Sequence, residues 1–502
     1  MRYKAWKIIR DSYKDYECAA YVGGEPAPWF KPERGVHQGA PLSMPLYQVY
    51  INELLQQLRA SSYAATLFNQ RIGAPAFADD ISCAALHKMG LNSMLQMADK
   101  YSTKWKFDFG IDKCVAMIWG KDNSPEEPIM LGNGQLNIVN RYKHMGIQLS
   151  SCETNTNSIY SERIGAGRGA LFAARGLGSL RVPVPPKVMS KLYWSVAIPR
   201  MTYGLEVVPM DTKGLADMEH AHRQHAKIIQ GLPMNSPKPA PLATVGWLTI
   251  GAYVAILKLC FLWRILSLPV ENIYRRITVE RLQQCFLESR ANKLSPIADI
   301  FSYVSKYGLR EKLLQYVFMN TEVNLQESKR YIKKVVWDLE TLSWKATQYL
   351  YPELSMYYNK VPEIQMHAWW RINLKPYGLI NKISCVLSLL IGGQPPGLQR
   401  NFNSSRCGLC QNSMEKEDPC HVLFSCPALE GQRNRTWQRV LQSMPPAMVR
   451  QQLGVSNREK TEFLLSCLNN TVTTEWHEIY MNIIVFIHDI YKERARLYDA
   501  IM

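Results

Sequence analysis

The 502-residue chain has no apolar run that reads as a membrane span. Its most apolar stretch, residues 251–268, carries Lys258 and Arg264, and two charges inside such a segment favour a buried helix. The N-terminus has no signal-peptide pattern, because its apolar runs are short and interrupted by Lys and Arg. A secretory route is therefore not expected, and the sequons at Asn403, Asn434 and Asn469 are read as chance matches. The 12 cysteines are scattered without a disulfide framework, so reduced thiols and an intracellular home are expected, nucleus or cytoplasm undecided. No internal repeat and no low-complexity segment is present. Acidic residues are in deficit, 42 against 59 Lys and Arg, which gives a net charge of +17. That balance favours a polyanionic partner, with nucleic acid and anionic membrane surfaces as the usual candidates. With 47% hydrophobic and 20% charged residues, the composition is that of an ordinary globular protein.

What is present is a pair of adjacent carboxylates, Asp79 and Asp80, within Ala74-Pro75-Ala76-Phe77-Ala78-Asp79-Asp80-Ile81-Ser82-Cys83. Small and apolar residues on both sides predict a short buried β-hairpin with its tip at the acids. Two neighbouring anions on such a hairpin repel each other and resist desolvation. A hard divalent cation offsets that charge, and Mg²⁺ commonly binds through one or two carboxylates plus substrate phosphates. Taken alone, Asp-Asp pairs are more often solvated turn residues. Upstream, Gly35-Val36-His37-Gln38-Gly39-Ala40-Pro41-Leu42-Ser43 predicts a Gly-rich loop that lets backbone approach a ligand. Ser43 is placed as the N-cap of the following helix and Pro45 in its first turn. Leu46, Tyr50 and Leu54 recur at helical spacing and give that helix an apolar face.

Loop, helix and acid-tipped hairpin in this order resemble motifs B and C of reverse transcriptases of non-LTR, LINE-like retrotransposons. The motif B pattern is roughly G-V-R-Q-G-x-P-L-S, with His37 here where Arg is usual; Phe77 to Asp80 match the Tyr/Phe-Ala-Asp-Asp of motif C. Phe107-Asp108-Phe109-Gly110-Ile111-Asp112-Lys113-Cys114 looks like motif D, with Lys113 at its basic position. Tyr142-Lys143-His144-Met145-Gly146-Ile147 looks like motif E, the primer grip. The resemblance implies that Asp79 and Asp80 hold catalytic Mg²⁺ and that Lys113 lies near the departing pyrophosphate. It further implies that Gln38, Gly39, Ser43 and Phe77 contact substrate, Gln38 and Gly39 by positioning template and incoming nucleotide. An RNA template and a DNA primer are the implied partners.

Two-metal nucleotidyl transfer in this family also uses a motif A aspartate, N-terminal to motif B. No Phe-x-Asp-like motif precedes Gly35. Residues 1–11 read as a basic amphipathic helix, and Asp11 and Asp15 sit among Lys and Tyr on a solvated face. The expectation is therefore an N-terminally truncated enzyme without fingers and front palm, which holds metal poorly and polymerises little or nothing alone.

The expected fold class is α+β. A partial palm with a small antiparallel sheet and helices spans residues 1–150, and a helical thumb-like region spans 151–310. Helical connection follows over 311–400, then a Cys/His segment over 401–430 and C-terminal helices over 431–502. Within the thumb-like region, Arg163, Arg168, Arg175 and Arg181 are either phosphate contacts or a solvated basic face. In the run from Ser328 to Lys334, basic residues interleave with Tyr331, which suits either stacking on nucleic acid or inward packing. Trp369 and Trp370 read as core.

Cys407, Cys410, His421 and Cys426 form the pattern C-x₂-C-x₁₀-H-x₄-C. Three thiolates and an imidazole complete a tetrahedral structural Zn²⁺ set with no open position. His421 and Cys426 are about 140° apart on a regular helix, so they cannot share a ligand from one. Cys426 precedes Pro427, which disfavours helical conformation at its predecessor. His421 is therefore expected in a short helix and Cys426 at its distorted end, although Cys420 could ligate instead. The pattern also resembles the Cys/His segment that follows the polymerase in some non-LTR elements. Arg433, Arg435, Arg439 and Trp437 suggest a nucleic-acid contact strip. The leading expectation is the RNA-directed DNA polymerase portion of such an element; the alternative is a non-catalytic nucleic-acid-binding remnant.

Overall fold

Left-handed turns break the first part of the chain into very short hairpins. Positive φ occurs at Phe68 and Asn69, at Ala78, and at Met145 and Gly146, each between two paired strands. The computed structural model describes residues 3–33, 35–37, 39–120, 127–151, 157–176, 184–287, 295–319, 321–347, 349–358, 361, 363–372, 379–393, 406–410, 417–466 and 474–501. They form a mostly helical molecule with small two-stranded sheets. Contacts divide the chain into two units, residues 1–142 with 150–152, and residues 143–149 with 153–502.

In the first unit, helices Ser43–Ala60 and Lys88–Trp105 pack together over the strands. Their core is Ile51, Leu54, Leu58, Met94, Leu95, Ala98 and Tyr101, joined by Ile129, Leu131 and Leu136. The expected apolar face is thus rotated: Leu54 is buried, whereas Leu46 and Tyr50 are half-buried. Instead of one antiparallel sheet there are separate ladders, and Val115–Ala116 pairs with Asn137–Ile138 in parallel. Gly73 fixes one close approach, since a Cβ there would stand 2.5 Å from the Leu58 carbonyl oxygen. The hairpin after Gly73 is thereby pressed onto the end of the Ser43–Ala60 helix.

The second unit is almost entirely helical. Helix Asn157–Gly176 lies against residues 193–202, and Gly167 allows it, because a Cβ there would meet the Met201 side chain at 2.9 Å. The core holds a polar network as well as apolar side chains. Tyr193 Oη lies 2.9 Å from His222 Nδ1 and 3.2 Å from His225 Nδ1, and its ring stacks on Trp247. His222 Nε2 faces the Leu248 carbonyl at 3.1 Å. That carbonyl can only accept, so Nε2 carries the proton and Nδ1 accepts from the phenol; His225 Nδ1–H then donates to the phenol oxygen. Trp369 and Trp370 are fully buried, donating to the Leu465 carbonyl and to Gln230 Oε1. Helix Ile250–Leu266 is buried as expected, and its Lys258 pairs with Asp299 at 2.8 Å. Among the described residues no helix is long and apolar enough to cross a membrane.

Candidate metal centres

Ala76–Phe77 pairs with Asp80–Ile81, and Ala78 and Asp79 form the turn between them. Bonds from Ser82 N–H to the Pro75 carbonyl (2.9 Å) and from Ala84 N–H to the Gly73 carbonyl (3.0 Å) lengthen the hairpin. Ala78 has φ +54°, a left-handed conformation that costs energy for a residue with a side chain. The two acids therefore stand at a tight hairpin tip, as the sequence suggested. They are not buried: Asp79, Asp80 and Phe77 are all exposed. A two-residue ladder leaves its tip in solvent, so desolvation does not by itself demand a cation here.

Neighbouring elements gather at this hairpin. Burial, then the charge of Asp79, then Tyr50 push the Tyr47 phenol above its ordinary pKa, which places Asp79 within electrostatic reach of the Ser43–Ala60 helix. Burial, then nearby Cys114, push the Cys83 thiol up to about 11, which links the strand after the acids to the Phe107–Cys114 segment. In that segment Phe107 and Phe109 pack edge to face at 5.2 Å, and Lys113 is exposed at the end of the turn Ile111–Lys113. Gly39 has φ +80° and open space around its α-carbon. Gln38 lies outside the described residues. Ser43 is not the N-cap; it is the first helical residue, and its hydroxyl donates to the His37 carbonyl across the loop. His37 itself is held between Tyr13 and Tyr16, with ring centroids 4.2 and 3.9 Å away. Among the described residues no third carboxylate, His or Cys is grouped with Asp79 and Asp80. Asp11 pairs with Arg10 at 2.8 Å and Asp15 with Lys31 at 3.5 Å, all exposed.

The Tyr142–Ile147 segment lies on the hairpin of strands Arg141–His144 and Ile147–Ser150, which turns at Met145 and Gly146. Arg163 was a candidate phosphate contact, but it is buried. Its guanidinium donates to the Gly146 carbonyl and lies over the Tyr203 ring at 5.0 Å, and the Tyr203 hydroxyl donates to the Met145 carbonyl at 2.9 Å. Arg168 and Arg175 are exposed, and Arg181 lies outside the described residues. Tyr331 points outward, with the Lys312 ammonium 4.0 Å from its ring centre.

The Cys/His set converges. The ligand atoms of Cys407, Cys410, His421 and Cys426 all lie within 4.8 Å of one another; Cys420 is not part of the group. Cys407 Sγ and Cys426 Sγ are 3.9 Å apart, and Cys410 Sγ is 3.6 Å from His421 Nε2. A tetrahedral Zn²⁺ with ordinary bond lengths needs about 3.8 Å between sulfurs and about 3.6 Å between sulfur and nitrogen. The geometry fits. His421–Ser425 forms one wide turn, closed by the Cys426 N–H on the His421 carbonyl at 2.7 Å, and Cys426 is extended. The i→i+5 turn is how the chain brings two ligands five residues apart to one point. Burial first, then Cys407, push the Cys426 thiol up to about 12.

Sequence reasoning missed the groups around these ligands. Asp418 Oδ1 accepts the His421 N–H at 2.8 Å, and a capping carboxylate three residues before a turn is a readable signal. Arg433, expected on a nucleic-acid strip, donates instead to the Leu423 carbonyl (2.9 Å) and the Cys426 carbonyl. Trp437 likewise packs inward, with ring centroids 5.3 Å from both Phe424 and Phe486.

Residues 2–149 match the reverse transcriptase (RNA-dependent DNA polymerase) family. A type-1 R2 retrotransposable element Pol polyprotein of Popillia japonica is 24% identical over 209 residues, 40% of this chain and 33% of that protein. A type-1 R2 relative from Nasonia vitripennis is 27% identical over 133 residues, 24% of this chain and 13% of that protein. The type-2 element R2DM of Drosophila melanogaster gives 28% over 249 residues, 45% of this chain and 22% of its own. The matches span a third or less of the length of these relatives. Residues 2–149 thus match a reverse transcriptase domain, and parts of the chain are similar to R2-type Pol polyproteins.

Proposed function

We propose that Asp79 and Asp80 are the Mg²⁺-binding carboxylates of an RNA-directed DNA polymerase and that the thumb-like helical region 151–310 serves to grip nucleic acid. The observation that carries the reading is the acid-tipped hairpin at Ala76–Ile81, inside the residues matched to the polymerase family. Magnesium, when bound, would neutralise charge on the attacking and leaving oxygens of an in-line displacement. The chain's own residues do the rest. Asp79 and Asp80 hold the cation, Gly39 lets backbone approach the incoming nucleotide, and Ser43 pins the loop through the His37 carbonyl. Gln38 and Phe77 contact the paired bases, and Lys113 balances charge on the departing pyrophosphate. RNA template and DNA primer are the substrates.

Two carboxylates are fewer than two-metal chemistry uses. With no third acid beside them among the described residues, the chain by itself polymerises weakly or not at all and needs a motif A aspartate from elsewhere. Cys407, Cys410, His421 and Cys426 hold a structural Zn²⁺ and take no part in the reaction. The test is primer extension on an RNA template with Mg²⁺. Any extension by the chain, alone or supplied with a carboxylate-bearing segment in trans, should vanish in Asp79→Asn and Asp80→Asn. Extension that survives either substitution would overturn the assignment.

A further inference from the structure

The last two turns of the C-terminal helix Thr474–Ile501 are anchored differently from the rest of it. Up to Tyr491 the helix is held by apolar burial of Ile479, Ile483, Ile484, Phe486, Ile487 and Ile490. Beyond Tyr491 its buried side chains, among the described residues, are Arg494 and Tyr498, with Leu497 partly buried against the core. Both converge on Glu417. Arg494 Nε donates to Glu417 Oε1 at 2.7 Å, and the Tyr498 hydroxyl donates to the same oxygen at 3.1 Å. The Tyr498 oxygen in turn accepts the N–H of Gly408 at 2.8 Å. Gly408 lies between Cys407 and Cys410, and a Cβ there would come within 3.1 Å of the Tyr498 ring. Glu417 adjoins Asp418, whose carboxylate holds the His421 N–H. Hydrogen bonds thus run from the two-cysteine knuckle through the end of the helix to Glu417, and the peptide link to Asp418 continues to the turn that carries the histidine.

We propose that Tyr498, Glu417 and Arg494 form a strap that couples metal occupancy of the Cys407–Cys410–His421–Cys426 site to docking of the final two turns of the chain's last helix. This rests on the zinc reading above. Groups that orient metal ligands from outside typically contribute tenfold to a hundredfold in affinity. Coupling between two equilibria is reciprocal, so metal must tighten the helix end by the factor that the strap tightens the metal. A buried Arg–Glu pair bonded to a buried Tyr leaves costly unpaired groups if Glu417, next to the Asp418 that holds the histidine turn, moves away from the helix. The helix end therefore has no good alternative to being either docked or released.

Hydrogen exchange of the full chain, zinc-loaded and after treatment with a strong chelator, tests this. Loss of protection at residues 494–500 on chelation, with residues 479–491 still protected, is the expected result. In parallel, Tyr498→Phe keeps the ring and removes the hydroxyl; it should release zinc to a chromogenic chelator about tenfold faster, and Glu417→Gln should act in the same direction. Unchanged protection at 494–500 after chelation overturns the strap, as does an unchanged release rate in Tyr498→Phe. Co²⁺ substitution separates the two levels. A thiolate-to-cobalt band with no exchange response defeats only the strap, whereas absence of the band defeats the metal site and the strap with it.

Discussion

Arg163 donates to the carbonyl oxygen of Gly146, so the left-handed tip of the Arg141–Ser150 hairpin is held by the helix that follows it in sequence. A guanidinium spent on a buried carbonyl and the face of Tyr203 is not available to a phosphate. Removing it strands the Gly146 carbonyl, and loss of a charged donor costs about 1.5–3 kcal/mol. Arg163→Ala should therefore lower the melting temperature. Arg168→Ala and Arg175→Ala, exposed on the same helix, should leave melting unchanged and reduce the salt slope of nucleic-acid binding by up to about 0.9 each. Differential scanning fluorimetry and salt-titrated binding separate the two kinds of arginine.

Lys258 is fully buried against Asp299 and also donates to the Val208 carbonyl at 2.7 Å. Burial pulls the ammonium below its ordinary pKa, and Asp299 opposes that shift. Asp299→Ala leaves a buried cation without its partner and should cost about 3–5 kcal/mol in urea denaturation. Lys258→Met with Asp299→Leu, which removes both charges, should be far closer to neutral.

Stability should fall in mild acid. Burial pulls His222 down to about 3 and His225 to about 4, whereas an unfolded imidazole titrates near pH 6.5. Both are depressed in the folded state, so the unfolded chain binds more protons below about pH 6.5. Their contribution is complete above that pH and is lost as pH falls toward the folded values, by up to about 1.4 kcal/mol per pH unit for each imidazole. Melting temperatures measured from pH 7.5 to 5 should decline, and a flat profile would show that these rings are not buried neutral.

Gly73→Ala should destabilise the first unit by about 1–3 kcal/mol, because its methyl would stand 2.5 Å from the Leu58 carbonyl oxygen. Since the displaced element is the acid-tipped hairpin, Mg²⁺ affinity should fall together with stability, as isothermal titration calorimetry and melting would show.

The hairpin at Asp79 and Asp80 was legible because its signal is local: small residues flank two acids and the chain must turn between them. The wide turn at His421 was legible for the same reason, since a spacing of five between two ligands forbids a regular helix. Long-range choices were not legible. Whether Arg163, Arg433 and Trp437 face solvent or core depends on carbonyls and rings supplied by other segments, and a basic residue looks alike in either role. Tyr193, His222 and His225 form one network across 29 and 32 residues with no local pattern to announce it. Exposure of the acids was misjudged because flanking apolar residues were read as buried, whereas a ladder of two residues per strand buries little.

Iron-directed cleavage of a bound primer–template tests the central claim most directly. Fe²⁺ in place of Mg²⁺, supplied with hydrogen peroxide, generates hydroxyl radicals where the cation sits, whether or not the chain polymerises. Cleavage focused at the primer 3′ end, abolished in Asp79→Asn and Asp80→Asn at unchanged nucleic-acid affinity, is the predicted result. Cleavage that is scattered, or that persists in both variants, would contradict a metal-bound polymerase site at this hairpin.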